Sequence, residues 1–376
     1  MTDQVPPTGR VPTAGMPWDP HEFTTEMLNE LIAPWHPDIR IEKMTVIDNK
    51  AYGDGMVSTA ARAVLGVEYA DGAPAGLPPR IILKLGRSPD FQIGPLYQNE
   101  VRFYNVLRPE LTDIEAPFSL GGAYEPESQQ FALLLEDLTL RDARFPNVLE
   151  TISLEQLRAM LDTLARVHAR YWQSERFAGD LAFLETHCEG PLAHFMHEFV
   201  PIAIQEEIDN ENFKQELVAR LRTSGDELRQ GVAKLHRHQQ TLPHTLLHGD
   251  THIGNTFLLP GDNAGLLDWQ LTVRGHHMHD VSYLVTTSLP IGQRREHERE
   301  LLTYYLDRLG AHGVADVPGF DESWTEFGRC LVWGVYIGWL TTNIANYGWE
   351  ISVLNHLRLT TAYEDHDTTA LMAAID

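Results

Sequence analysis

The feature that most constrains the fold is a change of periodicity near residue 137. Ahead of it, 41–48, 56–69, 80–85 and 131–136 are short runs rich in β-branched and aliphatic residues, as strands require. The Gly/Pro stretch DGAPAGLPP separates two of them as a hairpin connection would, and only 24–34 and 93–107 read as helical. Beyond residue 137 the pattern turns helical. Ser153 and Gln156 have capping-box spacing, and Leu157, Met160, Leu161, Leu164, Val167 and Tyr171 then recur on one helical face. Further helical patterns cover 212–238, 293–309, 321–347 and 351–363, interrupted by one non-helical island at 246–268 built around the turn PGDNAG. The expected organisation is therefore α+β: a flexible lead over 1–20, an antiparallel β-rich N-lobe carrying one helix over 21–136, and a mostly helical C-lobe over 137–376.

A chain of 376 residues is long enough for two such lobes. Its 29 basic and 53 acidic side chains leave a formal charge of −24, which repels phosphate backbones and anionic lipid surfaces and argues against nucleic acid or membrane as partners. The most apolar run, CLVWGVYIGWL, is shorter than the roughly 20 residues a membrane helix needs. Two cysteines exclude a disulfide framework, and the first twenty residues lack the apolar core of a secretory signal. The expected compartment is the cytoplasm. The oligomeric state is not legible.

The island carries the chemistry. It contains His248-Gly249-Asp250-Thr251-His252-Ile253-Gly254-Asn255 and, after the turn, Leu266-Leu267-Asp268-Trp269-Gln270. Asp250 and Asn255 have the Asp-to-Asn spacing of a kinase catalytic loop, and a tight hairpin would return Asp268 beside Asn255. Phosphoryl transfer uses Mg²⁺, a hard cation that takes oxygen ligands and few protein contacts. An Asn carbonyl and an Asp carboxylate supply two such oxygens. A second carboxylate kept off the metal can orient an acceptor hydroxyl and take its proton.

HGDTHIGN followed by LLDWQ resembles the aminoglycoside-phosphotransferase-like family of small-molecule kinases, related in fold to protein kinases. The DWQ form and the phrase LLLEDL are most similar to its choline-kinase-like and ecdysteroid-kinase-like branches. The resemblance implies a bilobal protein-kinase-like fold. It also implies a phosphotransferase that moves the γ-phosphate of ATP, with Mg²⁺, to a hydroxyl of a small molecule: an aminoglycoside-like compound, an amino alcohol or another alcohol. By the same resemblance Asp250 is the catalytic base and Asn255 and Asp268 are the metal ligands. Lys84 in RIILKL is the strand lysine that contacts nucleotide phosphates, and Glu100 in QNEVRFYNVL is the helix acid that pairs with it. Glu136 and Asp137 mark the hinge that holds adenine, and Asp280 braces the catalytic loop. GxGxxG is absent, so a phosphate-covering loop would have to be the looser Gly53-Asp54-Gly55 turn with Ser58 adding a hydroxyl.

Each of these residues has a plainer alternative. Asp250 could cap a turn, Gly53 and Gly55 could form an ordinary β-turn, and LLLEDL could be only a buried strand. Lys84 is one of five lysines and sits in an apolar strand, so it needs a buried partner on either reading. His248-x-Asp250-x-His252 could be metal-ligand spacing in a zinc or dinuclear hydrolase, which would leave Lys84, Glu100 and Asn255 without a role. A kinase-like binding module without turnover would have lost one of these groups, and none is missing. Trp339, Tyr347 and Trp349 could line an acceptor pocket or simply belong to the core. No long activation segment separates Asp268 from Asp280, which favours a small acceptor over a protein.

Overall fold

A computed structural model of the chain describes residues 6–48, 59–90, 93–261, 263–341 and 344–375. The chain divides into two compact units, one made of Met1–Ala143 with Asp268–Gln270 and the other of Arg144–Leu267 with Leu271–Asp376.

The first unit is built on strands β1 (Ile41–Asp48), β2 (Ala61–Tyr69), β3 (Arg80–Leu85), β4 (Ser119–Tyr124) and β5 (Phe131–Glu136). They form one antiparallel sheet in the order β1-β2-β3-β5-β4. Helix α1 (Thr25–Ile32) begins at Thr24, whose hydroxyl accepts from Met27 N. Asn29 ties α1 to the sheet, donating from Nδ2 to Ile41 O at 2.9 Å and accepting from Ile41 N at 2.8 Å. Leu28, Leu31 and Ile32 enter a core with Leu65, Ile81, Leu83 and Leu134. Helix α2 (Gly94–Arg102) runs on into a π-helical turn over Phe103–Leu107.

Strand β4 carries no strand signal in SLGGAY, and the reason is steric. Gly121 has φ +126°, and a Cβ there would lie 2.6 Å from Trp35 Cδ1 and 2.7 Å from Leu31 O. The glycine lets α1 approach the sheet. The described part of the lead makes specific hydrogen bonds. Tyr124 N donates to Thr8 O at 2.9 Å, Gln130 Nε2 to Pro17 O at 2.8 Å and Asn105 Nδ2 to Pro7 O at 3.2 Å, which ties this stretch to β4, to the residue before β5 and to the π-helical turn. The division between units falls after Ala143 rather than at Glu136–Asp137. Asp137 caps the 3₁₀ turn Leu138–Arg141 and pairs with Arg80 of β3 at 2.5 Å, which keeps the turn with the sheet.

The second unit is mostly helical. Its helices are α3 (Leu154–Arg170), α4 (Pro191–Glu198), α5 (Val200–Asn210), α6 (Asn212–Arg220), α7 (Gly225–Gln239), α8 (Met278–Ser288), α9 (Ile291–Ala311), α10 (Phe320–Thr341), α11 (Ile344–Asp365) and α12 (Thr368–Ala373). Both hydrogen bonds of the capping box form between Ser153 and Gln156 at the start of α3, and Leu157, Met160, Leu161, Leu164 and Val167 are buried. The continuous pattern over 212–238 is two helices, because Ser224 starts α7 with its hydroxyl accepting from Glu227 N. The island forms two small sheets, β6 (Thr245–Leu247) with β9 (Val273–Gly275), and β7 (Thr256–Leu259) with β8 (Asn263–Leu266). Every residue of α8 is buried, and α10 packs against α8 and α11. No helix of the described residues is long and apolar enough to cross a membrane.

Candidate active site

In the β-rich unit the site is built around Lys84. Sheet register places Lys84 opposite Arg62 on β2, so the two cations share one face. Lys84 is 3% exposed; its Nζ lies 2.6 Å from Glu100 Oε1 on α2 and 2.9 Å from Asp268 Oδ1. Arg62 reaches Asp268 Oδ2 at 3.6 Å. Burial raises the Glu100 carboxyl above its ordinary value while Lys84 opposes the rise. Two cations facing two carboxylates make the cluster formally neutral, which is what lets four charged groups stay inside.

Asp268–Gln270 is fastened to α2, the π-helical turn after it and Thr59 through the two residues that follow the acid. Trp269 is buried and stacks on Phe103, with ring centroids 3.9 Å apart and planes at 6°. Asn99 Nδ2 donates to Gln270 O at 3.0 Å, and Thr59 Oγ1 donates to Gln270 Oε1 at 3.0 Å. Asp268 itself has φ +65°, a left-handed conformation that Asp tolerates better than most residues. Position 268 is therefore held by its neighbours' packing as well as by its own charge.

In the helical unit the loop after β6 carries Asp250. Its preceding residue must be glycine: Gly249 has φ +82°, and a Cβ would lie 2.1 Å from Leu271 O. Asp280 on α8 clamps the loop, accepting from His248 N at 2.7 Å and Gly249 N at 2.9 Å, while Thr251 Oγ1 donates to the Asp280 carbonyl at 2.6 Å. Burial works against a charged Asp280, but His168, 3.2 Å away, and the other neighbouring histidines hold its carboxyl below the usual range. His168 is positioned in turn by Tyr305 Oη, 2.7 Å from its Nδ1. Asn255 Nδ2 donates to Asp250 O at 2.9 Å and to Asp250 Oδ2 at 3.0 Å, and Leu267 N donates to Asn255 O at 3.0 Å. Asp250 and Asn255 are thus neighbours, and the chain leaving β8 is tied to Asn255 at the residue before Asp268.

The remaining residues singled out in the sequence fall as follows. Glu136 Oε1 accepts from Phe118 N at 2.8 Å, and Asp137 Oδ1 accepts from Thr139 N at 3.0 Å, so both acids serve the local backbone. Gly53, Gly55 and Ser58 lie outside the described residues, as does the side chain of Trp339. Trp349 is 58% exposed against Phe213, and Tyr347 is half-buried. His248 Nδ1 accepts from Asp250 N at 3.2 Å and its Nε2 lies 3.0 Å from Leu267 O, so both ring nitrogens are engaged within the loop. Arg62, His168 and Tyr305 contact these residues but belong to no motif, and Asn99 and Gln270 lie inside quoted motifs without having been given a role. Arg62 becomes visible only once the β2–β3 register is known.

A lysine strand with its helix acid, together with an Asp–Asn loop clamped from below, sits in the protein-kinase-like fold of small-molecule phosphotransferases. The sequence pattern of the ecdysteroid kinase-like family matches residues 81–314, and the chain belongs to that family. Among solved structures it is similar to a choline kinase from Cryptosporidium parvum Iowa II, with 11% identity, 90% of this chain and 92% of that one covered, and a TM-score of 0.52. It is also similar to a choline kinase from Streptococcus pneumoniae (15% identity, 90% and 98% covered, TM-score 0.46). A third is a spectinomycin phosphotransferase in complex with ADP and spectinomycin (12% identity, 94% and 99% covered, TM-score 0.46). The first of these supports the fold. No curated protein sequence matches the chain.

Proposed function

We propose that the protein transfers the γ-phosphate of ATP to a hydroxyl of a small molecule. The observation that carries this reading is Lys84, buried in β3 and bonded to both Glu100 and Asp268. A purely structural lysine needs one counter-charge. A second carboxylate from a distant part of the chain is what a site handling a metal and a triphosphate requires.

In this reading Lys84, oriented by Glu100, neutralises nucleotide phosphate oxygens. Asp268 and Asn255 offer Mg²⁺ the hard oxygens it prefers, and because Asn255 Nδ2 is committed to Asp250, its Oδ1 is the atom for the metal. Bound magnesium would draw charge off the phosphates. Backbone groups near Glu136 and Asp137 hold the adenine. Asp250 aligns the acceptor hydroxyl: the acceptor oxygen bonds to the γ-phosphorus, the bond from that phosphorus to the β–γ bridging oxygen breaks, and the hydroxyl proton passes to Asp250. Positioning and charge neutralisation supply most of the acceleration, because the transition state is loose.

The test is an ADP-release screen over amino alcohols, aminoglycosides, macrolides, sugars and sterol-like alcohols, with mass detection of the product. A product heavier by one phosphoryl group, absent with Asp250→Asn, supports the reading. ADP release that Asp250→Asn leaves unchanged refutes it.

A further inference from the structure

A second cluster of titratable groups lies in the helical unit, beside the Asp280 clamp. His187, His236 on α7 and His279 on α8 bring one ring nitrogen each to within 4.8 Å of one another. His187 lies against both partners, with ring centroids 4.3 Å from His236 and 4.3 Å from His279. His236 and His279 are buried, and neither ring nitrogen of either has a hydrogen-bond partner among the described residues. His187 and His236 border a narrow, largely apolar cavity lined also by Thr186, Gly249, Leu271 and Trp333, with room for about one water. It is too tight for an acceptor the size of an amino sugar.

We infer that His187, His236 and His279 form a binding site for one divalent transition-metal ion, zinc by its chemistry. Three imidazoles without a carboxylate among them select a borderline-soft cation over magnesium or calcium. In a tetrahedral site with Zn–N bonds of about 2.0–2.1 Å the nitrogens lie roughly 3.3 Å apart, so the rings, stacked at 12° and 25° and with nitrogens within 4.8 Å of one another, must turn to converge on one ion. The fourth position faces the cavity and takes a water. A stack of unligated imidazoles leaves the buried nitrogens of His236 and His279 unsatisfied, whereas a bound cation takes one from each ring.

The site connects to the loop that carries Asp250. Gly249 lines the cavity, and the Asp280 carboxylate that clamps the loop lies 4.0 Å from His279 Nδ1. An ion on His279 Nε2 would sharpen that contact and stiffen the clamp. The ion's role is to brace the loop from below, independently of whether the protein is a phosphotransferase.

The experiment uses the untagged full-length chain, stripped with a chelator and titrated with zinc chloride in excess magnesium. Expected are one zinc per chain by elemental analysis, a rise in Tm, and, with cobalt(II) in place of zinc, the intense visible absorption of a four-coordinate nitrogen site. His236→Ala should weaken zinc by more than the ~10–100-fold that loss of a second-shell group costs. His187→Gln, at the half-buried corner, tests the same point in a chain whose fold is checked by circular dichroism. Asp268→Asn should leave zinc affinity unchanged. No stoichiometric zinc in the folded chain, or zinc that survives both histidine substitutions, overturns the inference.

Discussion

Lys84 and Asp268 are 184 positions apart in the sequence and 2.9 Å apart in the β-rich unit. A contact of that sequence separation has a loop-closure cost, and here it places a carboxylate against an ammonium already paired with Glu100. Removing the ammonium leaves two carboxylates facing each other in a buried site. Lys84→Met should therefore destabilise the protein by about 3 kcal/mol, while Lys84→Met with Glu100→Gln should recover part of the loss. Urea unfolding of both variants measures this. A single variant as stable as the wild type would show that the cluster is not held by charge.

Asp250→Asn preserves shape and removes the proton acceptor. Turnover should fall by ~10²–10⁴-fold with nucleotide affinity nearly unchanged. Steady-state kinetics with calorimetric nucleotide titration separate the two. Loss of binding in step with turnover would assign Asp250 to the nucleotide instead.

Asp268→Ala should abolish magnesium-dependent ATP binding. Fluorescent nucleotide titration with and without magnesium is the measurement. Equal affinity in wild type and variant under both conditions would remove Asp268 from the metal.

Asp280 predicts a pH signature. Its folded carboxyl is held below the ordinary value, so its contribution to stability is present above the unfolded pKa, near 4, and is lost as pH falls through the lower folded pKa. The stability gap between wild type and Asp280→Asn should be largest above about pH 5 and shrink in acid. Urea titrations across that range check it. A gap that grew on acidification would reverse the sign assigned here.

At Ser153 both capping-box bonds are made at an exposed helix start, so Ser153→Ala should cost about 1 kcal/mol without touching activity. Thermal unfolding and turnover, measured together, test both halves.

Much of this organisation was legible before the structure. Strands β1 and β3 follow β-branched and aliphatic runs, and α3 follows a capping box and a regular apolar face. Strand β4 was illegible because its two glycines serve close approach, Gly121 to α1 and Gly122 to β5, rather than a strand pattern. Helix α8 showed no helical periodicity because it is buried all round. The short α4 and α5 begin at Pro191 and at Val200-Pro201, which read as breaks. Of the residues proposed for the site, Asp250, Asn255 and Asp268 were readable because they fall within one short stretch of sequence. Arg62 depends on strand register. His187, His236 and His279 come from separate segments that only tertiary packing brings together.

The three residues Asp268–Gln270 belong to the β-rich unit, yet Leu267 and Leu271 on either side belong to the helical one. The chain therefore leaves and re-enters, and no single cut yields two complete pieces. A ribosome releasing the first 143 residues delivers a sheet still waiting for its Trp269 plug and its last counter-ion. Maturation of the amino-terminal half must wait for sequence translated much later, and a fragment expressed alone should remain unfinished until that tripeptide is restored.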